Sequence, residues 1–178
     1  MRRSVVFIGV LLLLFTGYLL FGSSGKIEAG NSNTGDESES NQILQNAVFT
    51  DLNGNEVTLQ DFQGKTVLID IWETWCVPCL RSMPTFQKLM DDYPDDFVVL
   101  AVSPGYMDSE EQVREFIANN DYDFVFVFGE QLAQDLQVQS IPYKIYVSPS
   151  GEYIKSVLGS QGPDSDYENT RQVIESYL

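Results

Sequence analysis

The 178-residue chain has no histidine, only two cysteines, and ten basic residues against 26 acidic ones. Each shortage excludes something. Two thiols without an imidazole cannot complete a four-ligand zinc site, and a copper site of two thiols and a histidine fails for the same reason. No metal is expected. The formal charge of −16 repels a phosphate backbone, so nucleic acid is not an expected partner. Long apolar runs are also scarce: there is one, from Val5 to Phe21, interrupted by Gly9, Thr16, Gly17 and Tyr18.

That run follows Arg2 and Arg3. As a helix it would reach about 26 Å, just enough for a hydrocarbon core of about 30 Å. No clear small-x-small cleavage site stands close behind it, and no cysteine follows that could carry a lipid anchor. Residues 1–21 are therefore expected to be an uncleaved single-pass transmembrane helix, with a signal sequence as the rival, and the arginines are expected to stay in the cytoplasm. Residues 22–41 are Gly, Ser, Asn, Thr and acid with almost nothing apolar, and read as a flexible linker. Residues 42–178 are enough for one domain with its own core. This domain is expected outside the cytoplasmic membrane, an oxidising place. Beyond the apolar run lie eight basic and all 26 acidic residues, a formal charge near −18. Such a surface suits solubility, or attraction to basic partners.

The two cysteines, Cys76 and Cys79, are spaced C-x-x-C. Before them, Thr66-Val-Leu-Ile-Asp-Ile-Trp72 has the composition of a buried strand; after them, apolar residues at 80, 83, 86, 89, 90 and 93 have helical spacing. Both thiols thus sit where a strand hands over to a helix N-terminus, whose dipole and free N–H groups favour a thiolate. Pro78 falls in the first turn, where its missing N–H costs nothing. Cys76 is expected to be the exposed thiol that attacks a disulfide, and Cys79, deeper, the thiol that resolves the mixed disulfide. A purely structural disulfide across so short a loop would constrain little of the unfolded chain.

The stretch Ile71-Trp-Glu-Thr-Trp-Cys-Val-Pro-Cys-Leu-Arg-Ser-Met-Pro84 closely resembles the active-site segment of membrane-anchored, thioredoxin-like thiol–disulfide oxidoreductases of the ResA/TlpA type, within the AhpC/TSA–Redoxin-related thioredoxin superfamily. The resemblance covers about residues 42–178. It implies an α/β thioredoxin-like fold with an N-terminal β-hairpin and a central βα insertion, and no cofactor, because the chemistry is exchange between sulfurs.

The order of elements agrees. Ala47 to Leu59 reads as two short strands around Asn53-Gly54. A calcium loop on Asp51, Asn53, Asn55 and Glu56 lacks the twelfth-position carboxylate and flanking helices. Phe97–Val102 and Phe124–Phe128 read as strands, Ser109 as the cap of a helix carrying Val113, Phe116 and Ile117, and 132–136 as a short helix. Ile145–Val147 and Glu152–Val157 form a last hairpin, and a helix over about 164–178 closes the domain, with Tyr167, Val173, Ile174 and Tyr177 as core contacts. Ile141-Pro142, opening the first of those strands, resembles the family's cis-proline loop. That loop lies against the dithiol and adds a substrate segment as a strand, so the resemblance gives backbone pairing to Ile141. The bland alternative is a proline that merely starts an edge strand.

Asp70 occupies the position of the buried acid that serves thioredoxins as proton acceptor; burial would raise its pKa and make it a base for Cys79. Departures from the family are also visible. Three residues after the second cysteine, where ResA-like reductases often carry glutamate, stands Ser82, leaving Asp70 or Glu73 to supply an acid. Tyr143 and Lys144 follow Pro142 in place of small residues. Tyr143 could narrow the substrate groove; Lys144 could depress the thiolate's pKa, although solvent is the ordinary place for a lysine. Trp72 and Trp75 are expected to pack around the dithiol, with Trp75 partly exposed as an apolar docking surface.

The resemblance implies an extracytoplasmic enzyme reducing protein disulfides, for example those of apocytochrome c during cytochrome c maturation, and re-reduced by a membrane electron donor of the CcdA/DsbD kind. An oxidant that inserts disulfides uses the same dithiol at a higher potential. A peroxiredoxin-like peroxide reductase would need a Thr and Arg around one cysteine, a set that is not evident. A peptide-binding module with idle thiols is the non-enzymatic alternative.

Overall fold

The computed structural model describes residues 33–178. The expected anchor over 1–21, and the linker through residue 32, lie outside the described residues. Among the described residues, no helix is long and apolar enough to cross a membrane.

One difference appears at once. The sequence suggests irregular chain through residue 41, but Asn33–Gln45 forms helix α1, and the compact unit begins at Asn33. Its composition conceals it: Ile43 and Leu44 are the only apolar side chains in the helix. Leu44 is fully buried, and the Asn41 side chain accepts a hydrogen bond from the Tyr153 N–H at 2.7 Å. The buried Leu44, the half-buried Ile43 and a few polar ties hold it to the domain.

After α1 come β1 (Val48–Asp51), β2 (Glu56–Thr58), a 3-10 turn at Leu59–Phe62, β3 (Thr66–Ile71), α2 (Val77–Asp92), β4 (Phe97–Ser103), α3 (Glu110–Ala118), β5 (Val125–Phe128), α4 (Glu130–Asp135), β6 (Tyr143–Val147), β7 (Tyr153–Leu158) and α5 (Pro163–Glu175). The strands form one sheet in the order β2-β1-β5-β4-β3-β6-β7. The pairs β3–β4 and β4–β5 are parallel; the others are antiparallel. In the β1–β2 turn the Asp51 carboxylate accepts from the N–H groups of Asn53 and Asn55 and from the Asn55 side chain. Those bonds hold the Asp51 carboxyl below its ordinary range.

β3 and β4 are buried along their whole length, as continuous apolar runs in the middle of a sheet demand. Because successive side chains alternate, each strand serves two cores. Leu68, Trp72, Val99, Ala101, Phe126 and Tyr146 face a layer built from α2, α3 and α5. Val67, Ile69, Ile71, Leu100, Val102 and Ile145 face the opposite layer with Leu44 and with Leu132 of α4. Asp70 and Lys144 are cross-strand partners, so both belong to the first face. Pairing of Ile71 with Tyr143 sets Pro142 just beyond the end of β3, at the sheet end from which the cysteine loop leaves.

Candidate active site

The chain turns from β3 into α2 through Trp72-Glu-Thr-Trp-Cys76. Cys76 is the N-cap of α2, and Pro78 occupies the first turn. The two cysteines are joined as a disulfide with Cα atoms 5.3 Å apart. The Cys76 sulfur accepts the Cys79 N–H at 3.3 Å, and the Leu80 N–H bonds to the Cys76 carbonyl at 3.0 Å. An N–H directed at this sulfur is the arrangement that favours it in charged form. Cys76 is expected to be the exposed thiol, but with the disulfide closed it is 2% exposed and Cys79 is fully buried. Accessibility is instead provided beside it: Trp75 and Val77 are each about half exposed.

Two carboxylates brace this loop. Glu73 is completely buried; its Oε2 accepts from Trp75 Nε1 at 2.6 Å and its Oε1 from the Met107 N–H at 2.9 Å. Asp108 accepts from both the Thr74 N–H and the Thr74 hydroxyl. Trp75 and Met107 therefore stand exposed on two different loops that share one carboxylate. Glu73→Ala leaves three donors, Trp75 Nε1 and the N–H groups of Met107 and Asp108, without that partner, and is expected to raise the mobility of Trp75. Tryptophan fluorescence anisotropy checks this; an unchanged Trp75 signal contradicts the bracing role.

Below the disulfide the site is polar but sealed. Asp70 is 1% exposed, and neither carboxylate oxygen has a hydrogen-bond partner among the described residues. Burial pushes its carboxyl up to about 7; the nearby Lys144 ammonium opposes this and the Asp166 carboxylate adds to it. Lys144 is as deeply buried, with Nζ donating to Asp166 Oδ1 at 2.6 Å. Asp166 Oδ2 accepts from the hydroxyls of Ser82 and Ser160. The Ile141–Pro142 peptide bond is cis, and the Pro142 carbonyl accepts from the Gly159 N–H at 2.8 Å.

The Redoxin family model matches residues 38–170, three-quarters of the chain. This chain belongs to the Redoxin family. It is 33% identical over 148 residues to the thioredoxin-like protein YneN of Bacillus subtilis, an alignment covering 80% of this chain and 83% of that one. It is 27% identical over 182 residues to the thiol-disulfide oxidoreductase ResA of B. subtilis, covering 99% and 92%. The solution structure of a putative thioredoxin from Neisseria meningitidis superposes with a TM-score of 0.64 at 28% identity, covering 73% of this chain and 85% of that one. The chain is thus a thioredoxin-like protein of the ResA/TlpA type.

Within this Redoxin-family chain several residues stand elsewhere than the sequence suggests. Lys144 is not in solvent; β6 is covered by α5, and the lysine's length carries its ammonium to Asp166. Tyr143, one residue earlier, faces the opposite layer, beside Ile43 of α1 and Leu136, rather than the disulfide. Glu73 is buried as a loop brace rather than presented as a free acid. Ile141 is half-buried against both cores. Trp72, by contrast, packs where it is expected, wholly buried in the core that includes both cysteines, its ring centroid 4.8 Å from that of Phe116.

Asp108, Ser160 and Asp166 escape sequence reasoning altogether. Asp166 carries a signal in hindsight: with Thr170, Val173 and Ile174 it forms the buried stripe of α5, so the first two positions of a core-facing face are polar. Polar groups placed on such a stripe imply buried partners.

Proposed function

We propose that the protein is a membrane-tethered thiol–disulfide oxidoreductase that reduces disulfides of exported proteins on the outer side of the cytoplasmic membrane. The observation that carries this reading is the closed Cys76–Cys79 disulfide at the α2 N-terminus, with the Cys79 N–H on the Cys76 sulfur. In the reduced protein the Cys76 thiolate attacks one sulfur of a substrate disulfide. The substrate S–S bond breaks, a mixed disulfide forms on Cys76, and one substrate thiolate leaves. Cys79 then loses its proton to the Asp70 carboxylate and attacks Cys76 Sγ. The bond from Cys76 to substrate breaks, the second substrate thiolate departs, and the Cys76–Cys79 disulfide is restored. Two electrons have passed to the substrate.

Substrate is held, in this proposal, as an extended segment paired to the backbone at Ile141, before cis-Pro142, with its side chains against Trp75. Apocytochrome c is a candidate substrate, because its haem-attaching cysteines must be reduced and a basic protein suits an acidic surface. The oxidised dithiol returns to its reduced state by exchange with a membrane donor of the CcdA/DsbD kind.

The test is the reduction potential of the full chain in mild detergent, equilibrated with dithiothreitol or glutathione buffers. A potential near or below about −250 mV is expected for a reductant fed by a membrane donor. A potential near −120 mV would make the protein an oxidant. If no reversible disulfide forms at all, the chain is a peptide-binding module.

A further inference from the structure

A lysine buried as deeply as a core leucine demands a reason, because an ammonium removed from water is costly unless it is paired. Lys144 is paired once, with Asp166. Asp166 is further held by Ser82 and Ser160, hydroxyls from α2 and from the segment after β7, so its position is set from two sides. The Ser160 hydroxyl in turn accepts the Gly162 N–H at 3.0 Å. On the other side of Lys144 is its cross-strand partner Asp70, with both oxygens free. Two acids and one base thus lie buried together on the sheet face whose core includes the disulfide. If both acids were ionised, the trio would carry a net negative charge there.

We propose that Lys144 is a positioning residue for the proton transfer of the resolving step: held between Asp166 and Asp70, its charge decides whether Asp70 can accept the proton that Cys79 loses. This deepens the proposed reaction and rests on it. The step balances: the proton moves from Cys79 Sγ to a carboxylate oxygen of Asp70, and the sulfur electron pair forms the bond to Cys76. Lys144 neither gains nor loses a proton. Its contribution is a fixed positive charge, strong because the site is buried.

The groups on the same side of the sheet as Asp70 can be named. β6 contributes Lys144 and Tyr146, whose hydroxyl pairs with Thr170 of α5. α5 contributes Asp166, and β4 contributes only Ala101 opposite Asp70. The cysteine loop and α2 contribute Cys76 and Cys79, and α3 contributes Val113 and Phe116, without charge. Burial drives the Tyr146 hydroxyl up to about 12, so it is neutral throughout the range of interest. Lys144 is therefore the one cation in this set and Asp166 the one anion besides Asp70 itself.

The two neighbours act in opposite directions, and the test uses that. Lys144→Met, Asp166→Asn and the double variant are made in the full chain, in mild detergent. The Asp70 carboxyl is titrated by carbon NMR in the oxidised protein, a readout that needs no activity. Asp166→Asn is expected to lower the Asp70 midpoint by about one pH unit, a tenfold change in its ionisation. Lys144→Met is expected to raise it by at least as much, and the double variant to lie between the two. Removing one partner of a buried pair can unfold a protein. Should Lys144→Met fail to fold, Asp166→Asn and the charge-free double variant still order the midpoints.

The second readout is the pH dependence of resolution. The mixed disulfide of Cys76 with a chromogenic aryl thiol is formed, and thiol release by Cys79 is followed by absorbance. Its profile is expected to move with the NMR midpoint in each variant. Equal midpoints in all folded variants, or a rise in Asp166→Asn, overturn the proposal. Midpoints that move as expected while no variant, nor the parent, resolves the mixed disulfide would uphold the electrostatic pair and overturn the enzymatic reading and the catalytic role with it.

Discussion

Cys76→Ser is expected to abolish disulfide exchange, whereas Cys79→Ser is expected to stop it half-way, with substrate bound covalently to Cys76. The asymmetry follows from the helix terminus. Cys76 caps α2 and receives the Cys79 N–H on its sulfur, whereas Cys79 lies inside the first turn and is fully buried. Only the first sulfur has a stabilising N–H and stands beside the exposed pair Trp75 and Val77. Removing a covalent nucleophile is expected to cost on the order of 10³-fold or more in turnover. Insulin reduction, followed by turbidity, gives that loss for both variants. Mass spectrometry without reductant then separates them: a mixed disulfide accumulates in Cys79→Ser and is absent in Cys76→Ser. Accumulation in the opposite variant would exchange the two roles. Residual turnover in both would remove the dithiol from the reaction.

The strand–cysteine–helix unit was legible in the sequence because each part obeys a simple rule. A six-residue apolar strand buried on both faces, a C-x-x-C, a first-turn proline and an apolar stripe through Met83, Phe86 and Leu89 leave little freedom. The Ser109 cap was equally plain, its hydroxyl accepting the Gln112 N–H and Gln112 returning to the Ser109 N–H. Helix α1 was not legible, because its position rests on two adjacent apolar residues, Ile43 and Leu44, and on side-chain bonds to a hairpin more than 100 residues away. The polar layer beneath the disulfide escaped for a related reason. Lys144 reads as solvated from its own neighbours. Its burial is decided by α5, which crosses β6 and brings Asp166 with it. Charges buried in pairs are a property of two elements meeting: the pattern of β6 does not announce the acid, and the polar position on the stripe of α5 does not say which base it meets.

Asp70→Asn is expected to stabilise the oxidised protein at pH 8 by several kcal/mol while leaving its stability near pH 4 almost unchanged. Burial lifts the Asp70 carboxyl to about 7, from an ordinary value of 3.8 in the unfolded chain. Between those limits the folded protein keeps a proton that the unfolded chain has released. Stability then falls as pH rises, by about 1.4 kcal/mol per unit, because the folded state binds more protons. Over the window this amounts to something on the order of 4 kcal/mol, fully present below the unfolded value and lost as pH passes through 7. Asparagine has no proton to lose, so the slope should vanish. The exposed carboxylates that partners hold below their ordinary range, Asp51, Asp92, Glu168 and Glu175, titrate on the acid side of this window and do not mask it. Urea unfolding of the oxidised parent and variant at pH 4 and pH 8 measures the difference; an equal gap at both would mean that Asp70 ionises no differently in the folded chain. A carboxylate without hydrogen bonds in a dry core serves no structural need, since an asparagine there is expected to hold the fold better at neutral pH. In the proposed reaction the carboxylate serves through its proton, and the same variant that gains stability is expected to lose the fast resolution of mixed disulfides.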